Sequence, residues 1–386
     1  VILGEGADKN LEAISAFSAS NIGNYYISCK FAKSKESEIY KAWAWGNYKY
    51  QSKSKKNLLY VKEQKELEFL TFYSDCMNFS RDLINSPANK LNPSTYYSKI
   101  KNNNLFKSFN FIDYTEKEIN SNFPLTCAVG KSSSSKPKVI EITNRKLSKK
   151  DKPLVIIGKG VTFDTGGVNI KPGTSMRNMK KDMGGSAIAI SLFLLANYFL
   201  KKTKIVLIAP IAENAISSKS MRPGDVYSSV SGKSVEIAHT DAEGRLLLAD
   251  AIEKASSYNP CMIIDFATLT GAARVALGED LPAYFCNNET FAKKIENLNK
   301  EKLRCWRLPL YSPYLFKIKS QVADLSNASL DGMAGSITAA LFLQEFLKSP
   351  NIPWFHFDTF AWSQDSKGAA LQGLDIMSDF LRKNFN

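Results

Sequence analysis

The sequence predicts an α/β fold: a mixed, largely parallel central sheet flanked by helices, preceded by a small α/β piece short enough to be incomplete. Three observations carry this expectation. Strand-length apolar runs alternate with helix-length apolar stretches over residues 153–361. Several of the strand-like runs are apolar almost throughout, as in strands covered on both faces. At 386 residues, 44% of them apolar, the chain is long enough to bury a large core and to divide into two or three domains.

From the start of the chain, "VILG", "NYYISC" and "KAWAWG" are short apolar runs, closed by the lysine-rich linker "YQSKSKKN" at 50–57. From Lys65 to Asn85, "KELEFLTFYSDCMNFSRDLIN" has helical periodicity, and "SPANKLNP" stops it. "SSSSKPK" (132–138) is a polar turn between two strand-like runs, "LTCAVG" and "VIEI". "PLVIIG" (153–158) is a buried strand, "GGSAIAISLFLLANYFL" a helix and "KIVLIAPIA" (204–212) the next strand. "VEIA" (235–238) follows as a strand, then the helix "RLLLADAIEKASSY" and the strand "CMIIDFATLTG". "SITAALFLQEFL" is a helix, and "WFHFDTFA" is a strand with His356 packed inside it.

Composition narrows the classes. The six cysteines are scattered, with no CxxC pair, and read as free thiols of a reducing compartment. The longest apolar stretch, Ala187 to Leu200, falls short of a membrane span and ends in Lys201 and Lys202. No signal-peptide pattern follows Val1. The net charge of +14 comes from lysines mixed with asparagines, as in "KNNNLFKSFN", which compositional drift explains without a nucleic-acid partner.

Two stretches could carry chemistry. "HTDAEGRL" (239–246) spaces Asp241, Glu243 and Arg245 on alternate positions after "VEIA"; a continuing strand would put all three on one face. "GKGVTFDTGGVNIKPGTSMRNMKKDMGG" (158–185) leaves a buried strand through closely set glycines and brings Lys159, Asp164, Lys171 and Asp182. Loops at the carboxyl ends of strands are where α/β sheets bind ligands, so the two stretches could meet there. Four carboxylates together would be strongly destabilising unless one or two divalent cations neutralise them. Asp and Glu donors leave Mg, Mn and Zn open. With only two histidines in the chain, a site built on His is nearly excluded. "GKG" is neither a P-loop nor a dinucleotide fingerprint.

The ordered blocks "RDLINSPANKLNP", "GKGVTFDTGG", "IKPG", "MKKDMGGSA", "RPGDV", "HTDAEGRLLLADA", "DFATLTGA" and "AGSITAALFLQEF" resemble the leucyl (cytosol) aminopeptidase family, from about residue 65 to the end. The resemblance implies a short N-terminal α/β domain and linker (1–64) and a catalytic dimetal domain (65–386). It implies that Lys159, Asp164, Asp182, Asp241 and Glu243 hold two divalent ions, Mn or Zn, with Glu243 bridging them. Lys171 and Arg245 would be the catalytic residues, Arg245 facing a bicarbonate. Met179, Thr268 and Gly271 would line the pocket for the N-terminal side chain. His239 stands where the family has Asn and would alter hydrogen bonding around the ligands, not coordination.

The implied function is metal-dependent hydrolysis of the N-terminal peptide bond of peptides, in a cytoplasmic homohexamer with no membrane span. Two rivals remain: a dinuclear hydrolase of another amide or a phosphoester, and a nucleic-acid-binding protein on the same fold.

Overall fold

The computed structural model describes residues 11–20, 24–26, 33–51, 58–300, 302–364 and 368–385. They form two compact units, divided between Asp82 and Leu83, inside the helix Gln64–Asn85. "VILG" and most of the lysine-rich linker lie outside the described residues.

In the first unit, helices Leu11–Ser20 and Lys33–Gly46 accompany a short parallel pair, β1 (Asn24–Tyr26) and β2 (Leu58–Tyr60). Ile14, Tyr25, Ile39, Trp43 and Leu70 make its small core. Arg81 is fully buried there, its guanidinium 3.9 Å from the ring centres of both Trp45 and Tyr48.

The second unit is built on a 9-stranded sheet. Its strands are β3 (Asn110–Phe111), β4 (Lys138–Thr143), β5 (Leu154–Gly158), β6 (Gly160–Asp164) and β7 (Ile205–Asn214). The rest are β10 (Met262–Ala267), β11 (Ala283–Cys286), β12 (Trp306–Arg307) and β14 (Trp354–Asp358). β14, β10, β5 and β7 run parallel side by side, and β6 adds a parallel contact to β7. β4 and β11 pair antiparallel on the two flanks, which makes the sheet mixed. Helices Gly184–Phe199, Gly244–Ser257 and Gly335–Gln344 are buried along most of their length, so the central strands need no polar face. The stretch Met179–Phe199 is long and apolar enough to cross a membrane, but most of it is buried inside the fold, and core packing accounts for its composition.

Three local expectations are corrected. "LTCAVG" is not a strand but part of the helix Pro124–Gly130. Proline at the first helical position favours this, and the distant Asp250 carboxylate accepts hydrogen bonds from Thr126 N (2.7 Å) and Oγ1 (2.8 Å), satisfying donors at the helix start. The glycine-rich loop after β5 is interrupted by β6, a strand of its own. "VEIA" contributes β9 (Ser234–Glu236), which lies outside the central sheet. It joins β8 (Val226–Ser228) and β13 (Leu325–Ser326) in a separate 3-stranded sheet.

Candidate metal centre

The strand does not continue through "HTDAEGRL". Residues 239–243 turn, and Gly244 opens the helix Gly244–Ser257 with Glu243 at its N-cap. Asp241, Glu243 and Arg245 therefore do not share a strand face. Oxygens of Asp241 and Glu243 nevertheless meet one of Asp164, all within 4.8 Å of one another. Gly244 leaves room for the Lys159 side chain, because a Cβ there would lie 2.4 Å from Lys159 Cε.

Four of the surrounding residues arrive at the carboxyl ends of parallel strands. Lys159 follows β5, Asp164 ends β6, Thr268 follows β10, and Asp358 ends β14. Asp182 comes from the tight 3₁₀ turn Met179–Met183 that runs into the helix Gly184–Phe199. Lys159 Nζ stands 2.7 Å from Asp182 Oδ2 and 3.0 Å from Glu243 Oε1, and donates its hydrogen bond to Thr268 O at 2.9 Å. Lys171 Nζ stands 2.8 Å from Asp164 Oδ2 and 2.5 Å from Asp241 Oδ1.

The carboxylates are held by neutral groups on one side and meet only lysine ammonium groups on the other. Asp164 Oδ1 accepts from Gly166 N and Asn214 Nδ2, both at 2.8 Å. Thr268 Oγ1 donates to Asp182 Oδ1 at 2.9 Å. Asp182 Oδ2, Asp241 Oδ1 and Glu243 Oε1 are buried and accept no directed hydrogen bond; they meet lysine charge without hydrogen-bonding geometry. Burial, then the neighbouring Asp164, raise the pKa of Asp241 and of Glu243. Burial would lower Lys159 and Lys171, but the carboxylates around them outweigh it and both are raised. Such a crowd of hard oxygen donors, held apart by two ammonium groups, suits divalent cations that would displace them.

Lys159, Asp164, Lys171, Met179, Asp182, Asp241, Thr268 and Gly271 line one cavity of about 120 Å³. Glu243 and Arg245 stand behind its wall, 1% and 7% exposed. The Arg245 guanidinium carbon is 5.9 Å from the Phe342 ring centre, its Nε and Nη1 are unbonded, and burial lowers its pKa to about 10.

Residues the sequence did not single out set this geometry. Thr240 Oγ1 donates to Gly166 O at 2.6 Å, and Asn169 Oδ1 accepts from Thr240 N at 2.9 Å, tying the two acidic loops together. Asn327 Oδ1 accepts from Ala238 N and His239 N, and its Nδ2 donates to His239 O. Neutral amides and hydroxyls carry no spacing signal, so only the fold shows them. His239 Nδ1 accepts from Asp241 N at 3.2 Å.

A mixed sheet with an acid cluster at its carboxyl edge defines an α/β protein with a candidate cation site where such sheets bind ligands. Residues 78–377 match the model of the cytosol aminopeptidase family, catalytic domain, and the chain belongs to that family. It is 38% identical over 295 residues to a probable cytosol aminopeptidase of Syntrophotalea carbinolica, covering 76% of this chain but only 59% of the relative's length. The solved cytosol aminopeptidase of Coxiella burnetii superposes with a TM-score of 0.90 at 35% identity, covering 99% of this chain and 85% of that one. The bottromycin maturation enzyme BotP, solved in complex with Mn, superposes with a TM-score of 0.86 at 26% identity, over 98% of this chain and 87% of that one.

Proposed function

We propose that this chain is a metal-dependent aminopeptidase that hydrolyses the N-terminal peptide bond of peptides. The observation that carries the reading is the convergence of Asp164, Asp241 and Glu243 beside Asp182, where buried oxygens of Asp182, Asp241 and Glu243 meet only lysine charge, in a chain of this family. Lys159, Asp164, Asp182, Asp241 and Glu243 would hold two divalent ions, Mn or Zn, and the domain concerned is the one expected over residues 65–386. Bound there, the ions supply Lewis acidity to the scissile carbonyl and to water.

The chain's own residues do the rest. Lys171 brings positive charge to the oxyanion that develops on the carbonyl. Arg245, with two unbonded nitrogens, offers a planar fork to a carboxylate-like anion such as bicarbonate, which can relay a proton. Met179, Thr268 and Gly271 receive the first side chain. A cytoplasmic homohexamer fits the family, and the exposed apolar side chains of Phe316, Val322, Leu330 and Met333 supply surface for self-association.

The test is to chelate the protein, restore Mn, Zn, Mg or Co separately, and assay free-amine and N-acetylated peptides. The expected result is metal-restored release of the first residue from the free-amine set only. Equal cleavage of acetylated peptides, or no release with any metal, overturns the reading.

A further inference from the structure

The cavity has two electrostatic halves, and the metal centre uses only one. The other half carries Lys181 and Arg274, both in the lining, with Phe360 beside both. Lys181 is 4% exposed, and its Nζ lies 4.3 Å from the Phe360 ring centre. The Arg274 guanidinium carbon lies 4.6 Å from the same ring. Among the described residues the contacts of the two cationic groups are with the Phe360 ring, and neither is in ion-pair contact with a carboxylate. An ammonium on so buried a side chain, open only to the cavity and without a carboxylate in contact, is costly, and contact with one ring offsets only part of that cost.

The nearby acids are already engaged. Asp182, next in sequence, accepts at Oδ1 from Thr268 Oγ1, and its Oδ2 faces the Lys159 ammonium at 2.7 Å and not Lys181. Asp358 accepts from Leu269 N, Thr270 N, Thr270 Oγ1 and Ser336 Oγ. Asp164 and Asp241, also in the lining, face Lys171, so Glu279 is the remaining acid of the lining against Lys181 and Arg274. The neighbouring Lys180 shows the ordinary alternative: its Nζ donates to Asn85 O at 3.0 Å.

Placement says which part of a substrate the cations face. Lys181 sits on the same tight turn as Met179, and Arg274 sits one helical turn beyond Gly271 on the helix Gly271–Leu277. Met179 and Gly271 belong to the pocket proposed for the first side chain. We infer that this pocket receives an acidic first residue, Asp or Glu, whose carboxylate is bound by Lys181 and Arg274. The inference rests on the aminopeptidase reading.

The experiment compares the Mn-loaded protein on Glu-, Gln-, Asp-, Asn- and Leu-aminomethylcoumarin. Glu and Gln differ in charge at nearly constant shape, so their kcat/KM ratio reads the charge contact alone. Glu should exceed Gln by roughly 10- to 100-fold, the range of a hydrogen bond to a charged group. Lys181→Met and Arg274→Gln should each reduce that ratio. Arg274 is exposed, so its variant tests the idea even where Lys181→Met fails to fold. Calorimetric titration with free glutamate and with free glutamine should show the same preference without turnover. If no substrate is cleaved with any metal, the aminopeptidase reading itself fails. If Gln or Leu is cleaved as well as Glu, the reading stands and this inference is overturned. It is also overturned if Leu-Gly is preferred over Leu-Gly-amide whatever the first residue, because the cations would then bind the carboxyl end of a dipeptide.

Discussion

Two groups of buried carboxylates in this chain meet the same electrostatic problem differently. Asp265 on β10 is fully buried and faces His356 across the register with β14. His356 Nδ1 is 2.5 Å from Asp265 Oδ1, and Trp354 Nε1 donates to Oδ2 at 2.6 Å. Burial alone would lower the His356 pKa, but Asp265 outweighs it and the pKa is raised. At the metal centre, Asp182, Asp241 and Glu243 each keep an oxygen with no directed donor. A carboxylate whose two oxygens are both bonded holds strands together. One whose second oxygen meets only lysine charge keeps a position that another cation could take.

The largest effect should come from removing one of these oxygens. Glu243→Ala should abolish turnover and loosen metal binding, because the proposed bridge between two cations is lost. Metal analysis of the purified variant checks this; two tightly held ions with normal turnover would sink the assignment. Asp265→Ala should do the reverse. Breaking one partner of a buried pair costs about 3–5 kcal/mol of stability, yet the metal content of the folded fraction should not change. Denaturant unfolding and metal analysis on one preparation separate these outcomes, and lost metal with unchanged stability would invert the comparison. Lys171→Ala and Arg245→Ala should keep both metals and lower kcat by roughly 10²–10³. Either variant purifying free of metal would show that its role is to hold the site together.

Lys159 stands between the two groups, because it is a charged partner that must give up its proton to become a ligand. Its ammonium is held by Asp182 and Glu243, which raise its pKa against the effect of burial. Metal uptake should therefore release a proton, and affinity should fall roughly tenfold for each pH unit of acidification. Calorimetry in two buffers of different ionisation enthalpy counts that proton. Lys159→Met should abolish the dependence, and identical heats in both buffers for the parent would remove Lys159 from the ligand set.

The contrast also explains what was legible in the sequence. The central strands and the helices between them were readable, because burial on both faces demands unbroken apolar runs. The acidic residues were readable from motif order and not from periodicity: the alternation of Asp241, Glu243 and Arg245 suggested a strand where the chain turns into a helix. The helix at "LTCAVG" was not readable, since it depends on Asp250, more than a hundred residues away. Thr240, Asn169, Asn214 and Asn327 were silent for the same reason. Lys181 was quoted within "MKKDMGG", but spacing does not distinguish it from Lys180; only the cavity does.

The smallest effect expected is at His239. Its Nδ1 accepts from Asp241 N, so the ring must be unprotonated at that atom, and the Oδ1 of an asparagine can accept the same bond. Burial, then Lys171 and Arg245, lower the His239 pKa below its ordinary value of 6.5. A histidine whose folded pKa is depressed contributes stability that is present above the unfolded pKa. That contribution is lost as pH falls from 6.5 through the lower, folded value. His239→Asn should therefore leave turnover at pH 8 nearly unchanged and flatten the loss of stability on the acid side of 6.5. The size will be modest, because the ring is exposed and solvent screens it. Unfolding midpoints of parent and variant at pH 5.5, 6.5 and 8 provide the check. A variant that loses metal at pH 8 would show that His239 coordinates an ion directly, and would move it from the bonded group to the one at the metal centre.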